Sequence, residues 1–177
     1  MPYLIAAVVL LGLLCLLNLV LTYGVVRRLR RHSEILAARE DTGQTGGSTA
    51  PAGTELPPFS AVSVQGGELS ERSFTAPTLV GFFSPGCPPC EALIPRFVAA
   101  AAAGGSSALA VVEEEEGMEA YVGRLRSVAT VVAGPQARVL AKAFAVRGYP
   151  AICLVGAGGV IADTGVAVVD RVGAIRS

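Results

Sequence analysis

Charge is scarce at the start of this sequence: no acidic or basic side chain stands between Met1 and Val26. Histidine is nearly absent, with His32 alone, tryptophan is missing, and there are four cysteines. Each scarcity excludes something. A structural zinc site takes four ligands, usually cysteine or histidine, and one distant histidine cannot complete such a set around a cysteine pair. Four cysteines, one of them (Cys15) inside an apolar run, make no disulfide framework of the kind that staples small secreted domains. Residues 55–177 carry nine Lys and Arg against eleven acids, a mildly acidic balance that argues against nucleic acid as the partner.

Apolar sequence is plentiful, at 52% hydrophobic residues, and it is concentrated at the N-terminus. Leu4 to Tyr23 is broken only by Gly12, Asn18 and Thr22. As a helix it would be roughly 30 Å long, the thickness of a bilayer's hydrocarbon core. A cleaved signal peptide would bring a basic start, a shorter apolar stretch and a small-residue exit; no Lys or Arg precedes this run, and Thr22-Tyr23-Gly24 and arginines follow it. The expectation is a single uncleaved span in the cell membrane, contacting the lipid bilayer, with a juxtamembrane helix to residue 38. Arg27, Arg28, Arg30 and Arg31 read as a headgroup-facing topology signal. Residues 39–54, rich in Gly, Ser and Thr, read as a flexible tether. That leaves 55–177 for one folded domain, enough for a core without staples.

Within that domain the periodicity alternates. Phe59–Val64 turns through Gly66-Gly67 into Glu68-Leu69-Ser70, a short hairpin. Thr78–Phe83 is a continuous apolar run, as in a strand buried on both faces. Pro88–Ala103 reads as a helix with Pro95 a kink point, ended by Gly104-Gly105. Strands follow at Ala108–Val112 and Val128–Ala133. Between them lies a helix, Gly117–Ser127, with Met118, Tyr121, Val122 and Leu125 on one face. Gln136–Val146 is a helix with Val139, Leu140, Ala143 and Phe144 at core spacing. Ile152–Val155 and Val160–Ala162 form a hairpin around Gly158-Gly159, and Val168–Ile175 is a last helix. The class is α/β, a mixed sheet flanked by helices.

Cys87-Pro88-Pro89-Cys90 stands where a strand passes into a helix. Two cysteines at that spacing can close a small disulfide ring and open it again. At the helix N-terminus the dipole and free N–H groups favour an anion, so Cys87 is the candidate nucleophile. Cys90, one turn on, would resolve a mixed disulfide by attacking back. The two prolines remove N–H donors, which leaves the Cys90 N–H and thiol to stabilise the Cys87 sulfur and points to a moderate lowering of its pKa and a couple less oxidising than one with a histidine inside the motif. Cys153, in an apolar strand, reads as a small core residue, and Glu113-Glu114-Glu115-Glu116 as a solvated loop before a helix.

The strand–Cys-x-x-Cys–helix order, Pro95 five residues after the second cysteine, and Val146-Arg147-Gly148-Tyr149-Pro150 before a strand resemble the thioredoxin-fold proteins from about Leu56 onward. The resemblance implies a thioredoxin-like fold with an N-terminal hairpin. It also implies that Pro150 is a cis-proline facing Cys87 and that Tyr149 contacts the substrate peptide. With the apolar N-terminus and Ser84-Pro85-Gly86-Cys87-Pro88-Pro89-Cys90, the chain looks like membrane-tethered disulfide reductases of cytochrome maturation. It looks still more like the accessory (maturation) type of methylamine dehydrogenase. Three departures stand out. Gly86 replaces the tryptophan common before the first cysteine, Gly81 replaces a buried aspartate, and Leu93 replaces a glutamate of the cytochrome-maturation branch. The usual proton acceptor for Cys90 is therefore missing, with only Glu91, expected to point to solvent, nearby; this favours a dedicated partner over a general reductant.

The resemblance thus implies a thiol–disulfide oxidoreductase acting on a protein thiol or disulfide, coupled to a dithiol partner, with no bound cofactor or metal. The alternative is a non-catalytic binding or assembly factor on the same scaffold. The arginines after the span place the domain in the cytoplasm by the positive-inside rule. The resembled families work outside it, and the extracytoplasmic side is the expectation here.

Overall fold

A computed structural model describes residues 11, 12, 16, 48–103 and 107–174. The chain divides into two units, Met1–Gly43 and Gln44–Ser177. In the first, Leu11, Gly12 and Leu16 are helical and exposed. The rest of the expected span, the juxtamembrane helix and residues 39–47 of the expected tether lie outside the described residues. Among the described residues no helix is long and apolar enough to cross a membrane.

The second unit is built around a five-stranded sheet ordered β5-β4-β3-β6-β7. The strands are β3 (Thr78–Phe83), β4 (Ser107–Val112), β5 (Thr130–Ala133), β6 (Ala151–Val155) and β7 (Ile161–Thr164). β3, β4 and β5 run parallel; β6 and β7 are antiparallel to their neighbours. β3 is central and all six of its residues are buried, which explains why its sequence is apolar without alternation. A separate two-stranded hairpin, β1 (Ala61–Val62) and β2 (Glu68–Leu69), precedes the sheet. Its turn is closed by the Gly67 N–H donating to Ser63 Oγ at 2.9 Å.

Side chains alternate across β3, so each face gathers its own core. Leu79 and Phe83 join α1 (Pro88–Ala102), α2 (Met118–Leu125) and α4 (Ala167–Ala174) through Ile94, Phe97, Leu125, Val168 and Val172. Val80 and Phe82 join α3 (Pro135–Ala143) and the N-terminal segment through Leu140, Phe144, Leu56, Phe59 and Phe74. Phe144 anchors that face, with ring centroids 5.1 Å from Phe82, 6.3 Å from Phe74 and 6.4 Å from Phe59.

Two expectations are corrected. Val139 is 38% exposed; the buried stripe of α3 is Ala137 and Leu140, continued by Phe144, because the helix starts at Pro135 and turns its valine outward. Helix α1 runs through Pro95 as expected, with the proline on its exposed side. Residues 48–54, expected in the flexible tether, are docked on the domain. The Ala50 N–H donates to the Phe144 carbonyl at 2.8 Å, the Arg147 N–H to that of Ser48 at 2.8 Å, and the Gly53 N–H to that of Ile161 at 2.7 Å. Thr49 and Ala50 are buried. Backbone hydrogen bonds hold this segment, so its small side chains carry no sign of it.

Candidate active site

β3 delivers the chain to the sheet's C-terminal edge, and Ser84-Pro85-Gly86 turns it into α1. Gly86 has φ +74, a left-handed conformation that a tryptophan would adopt only under strain; the residue before Cys87 is therefore glycine for backbone reasons. Cys87 is the extended N-cap of α1, and Pro88 and Pro89 occupy its first two helical positions, where an N–H would have no helical partner anyway. The first N–H of the helix belongs to Cys90.

This geometry separates the two thiols. Cys87 is half-exposed, whereas Cys90 is fully buried. Both are free thiols, with Cys90 Sγ donating to Cys87 Sγ across 2.7 Å. Disulfide closure, at roughly 2.05 Å, needs little further approach. Burial, with the hydrogen bond to Cys87 next in importance, pushes the Cys90 thiol up to about 12. Cys90 is thus a protonated donor beneath an accessible sulfur.

The Tyr149–Pro150 peptide bond is cis. It leads into β6, which places Ala151 opposite Phe82 of β3. The carbonyl of Tyr149 then lies 3.8 Å from Cys87 Sγ, within the reach of a weak S–H hydrogen bond. Residues sixty-two positions apart are so brought to one edge of the sheet. The Tyr149 ring packs against both cores, and burial together with Glu113 raises its hydroxyl above its ordinary value.

Cys153 is fully buried and belongs to the core on the opposite face of the sheet from Cys90; burial alone pushes its thiol up. It takes no part in the site. Of the acidic run, Glu114 pairs with Arg138 at 3.2 Å.

The departures noted in the sequence have structural causes. A Cβ on Gly81 would come within 2.8 Å of both the Phe83 and Phe97 rings, which pack edge to face at 5.3 Å. The space a buried aspartate would need is therefore filled with aromatic carbon. Leu93 is buried in the same core. Glu91 is exposed, as expected, and is paired at the surface: Arg124 Nη1 donates to its Oε2 at 2.9 Å. That guanidinium holds the Glu91 carboxyl below its usual range.

No family model matches the chain, and no curated protein matches it in sequence. Among solved structures it is similar to the thioredoxin domain of a thiol-disulfide oxidoreductase from Bacteroides vulgatus, at 20% identity over 73% of this chain and 100% of that one, with a TM-score of 0.59. It is similar also to a thioredoxin-family thiol:disulfide interchange protein from Chlorobium tepidum, at 24% identity over 72% and 97% of the two chains, TM-score 0.54. A secreted disulfide oxidoreductase of Mycobacterium tuberculosis matches at 22% identity over 66% and 95%, TM-score 0.53. At these identities the likeness establishes the fold: the domain is a thioredoxin-like α/β sandwich with a close cysteine pair at the start of α1.

Proposed function

We propose that this protein is a thiol–disulfide oxidoreductase that exchanges disulfides with a partner protein through Cys87 and Cys90. The observation that carries the reading is the stacking of three groups at one sheet edge: accessible Cys87, buried protonated Cys90 at 2.7 Å, and the Tyr149 carbonyl at 3.8 Å. Cys87 would attack a partner disulfide. The partner's strand would lie along Tyr149 and Pro150, and Cys90 would release it. Ring closure needs only these two sulfurs, so no cofactor enters the scheme.

The run Leu4–Tyr23 would tether the domain to the membrane, and the redox face would lie outside the cytoplasm. Its length supports the tether; the description of the Mycobacterium tuberculosis neighbour as secreted supports the side. The motif Ser84 to Cys90 supports a maturation role of the methylamine dehydrogenase accessory type, with one dedicated substrate.

The test is mass mapping after reduced protein meets oxidised glutathione. Wild type should end as the Cys87–Cys90 disulfide, Cys90→Ser as a glutathione adduct on Cys87, and Cys87→Ser unmodified at position 90. Wild type and Cys90→Ser remaining unmodified would leave a non-catalytic scaffold. Labelling Cys87 in intact cells with a membrane-impermeant maleimide tests sidedness; protection from it after reduction would put the domain in the cytoplasm.

A further inference from the structure

The proposed exchange reaction, on which this inference rests, needs the loop before Pro150 held at Cys87, because that loop carries the Tyr149 carbonyl 3.8 Å from the sulfur. The loop does little to hold itself. None of residues 145–150 is buried, and Val146 and Tyr149 only lean on the core. Ala145 stands at φ +50, and among the described residues no other non-glycine has a positive φ. An alanine is strained in that left-handed conformation and keeps it only where neighbouring contacts fix it. On the helix side, the Ala145 and Val146 N–H groups bond back to the Lys142 and Ala141 carbonyls.

The other hold comes from residues 48–50. The Ala50 N–H donates to the Phe144 carbonyl and the Arg147 N–H to the Ser48 carbonyl, each at 2.8 Å, so the two bonds bracket Ala145. The first satisfies a helix-end carbonyl. The second lies past the helix, just ahead of Tyr149, where no helix end needs it. Thr49 and Ala50 are buried, at 3% and 6% exposure, and Ala50 shares a core cluster with Phe144. Further on, the same segment is clipped to the start of β7. The Gly53 N–H donates to the Ile161 carbonyl at 2.7 Å, the Ile161 N–H to that of Thr54 at 2.9 Å, and the Leu56 N–H to that of Gly159 at 2.9 Å. Pro51 stands between the two attachments and restricts Ala50 to extended backbone. A short strap anchored beside β7 thus reaches the loop that carries Tyr149.

We propose that residues 48–50 are a positioning strap for the substrate-docking loop. By fixing Phe144 and Arg147 they keep the Tyr149 main chain in register for a partner strand. The substrate this serves is an extended peptide segment around the reactive cysteine, recognised through its main chain, rather than a small disulfide. The strap acts on recognition and leaves the reaction at sulfur unchanged. The coupling runs both ways, so a strand bound at Tyr149 steadies the strap in turn.

Two probes with one leaving group separate recognition from chemistry. One is a short Ala/Ser peptide whose central cysteine is capped by thionitrobenzoate; the other is N-acetylcysteine amide capped alike. With either, the Cys87 thiolate attacks the capped cysteine sulfur, a mixed disulfide forms, and thionitrobenzoate leaves with the bonding pair as a coloured thiolate. The reduced wild-type full chain should react with the peptide roughly fivefold to thirtyfold faster than with capped cysteine, the worth of one or two main-chain hydrogen bonds. Ala50→Pro removes the donor to Phe144, and Ala50→Asp drives the strap off with a charge. Both should lose most of that preference and keep the wild-type rate with capped cysteine. A merely structural role would leave the ratio of the two rates unmoved in a folded protein. Either variant keeping the wild-type ratio overturns the strap. Equal wild-type rates with the two probes also overturn it, by removing the docking that it serves, while the exchange chemistry stands. Wild type reacting with neither overturns the exchange reaction itself, and the strap with it. If both variants fail to fold, hydrogen exchange in Cys90→Ser decides: the Ala50 and Arg147 amides should exchange more slowly in the peptide adduct than in the N-acetylcysteine amide adduct, and equal exchange overturns the strap.

Discussion

At the scale of single residues, surroundings divide three thiols of the same chemistry into three kinds. Cys87 is reachable, Cys90 lies beneath it with its thiol pushed up to about 12, and Cys153 is sealed behind the sheet. Alkylation of the reduced protein at neutral pH should therefore modify Cys87 and spare Cys90 and Cys153 until denaturant is added; peptide mapping reads the order. The same burial couples stability to pH. In the unfolded chain these thiols ionise near the ordinary value of 9.0, while folded Cys90 and Cys153 keep their protons. Folding thus binds protons, the stabilisation is complete below that value, and it is lost as pH rises from there through the folded values. Urea unfolding of the reduced protein should show stability falling above about pH 9; Cys153→Ala should make that fall shallower, whatever it costs in packing.

At the scale of elements, α1 is seated by aromatic packing where a carboxylate would otherwise stand. Gly81→Ala puts a methyl 2.8 Å from two rings and should cost about 1–3 kcal/mol, as overpacked cores do. On the other face Phe144→Ala removes the ring that meets Phe59, Phe74 and Phe82 and should cost about 3–5 kcal/mol. Chemical denaturation measures both. The elements are largely legible in the sequence because period and punctuation agree: β3 is an unbroken apolar run, α1 opens on Pro-Pro, and the β6–β7 turn carries Gly158-Gly159. Legibility fails where a side chain's type does not reveal its direction. Val139 has the character of a core residue and faces outward. The expected strand from Phe59 to Val64 contracts to Ala61–Val62, because its ends are taken up elsewhere: Phe59 N–H meets Glu71, and Val64 N–H bonds to Val131.

At the scale of the whole molecule, the candidate site is assembled from two distant stretches, the α1 start and the Tyr149–Pro150 turn, with Arg124 of α2 paired to the neighbouring Glu91. Short motifs mark both stretches. Nothing local ties Arg124 to Glu91, thirty-three residues before it; only the packing of α2 on the sheet does. The docking of residues 48–54 is equally hidden, being made of main-chain hydrogen bonds beneath a Gly-, Ser- and Thr-rich sequence. The proposed tether makes a prediction of its own. On detergent phase separation the full chain should follow the detergent and a chain beginning at Ser48 the water, with equal rates of Cys87 alkylation in both.

The central claim is that Cys87 and Cys90 form one reversible two-electron couple. The most direct measurement is equilibration of the full chain in a series of glutathione redox buffers, with acid quench, alkylation and mass mapping. The account predicts a single transition between dithiol and Cys87–Cys90 disulfide, following two-electron behaviour and reached from both the oxidised and the reduced side. A pair that stays reduced throughout, or an oxidised product joining Cys153 in its place, would contradict it.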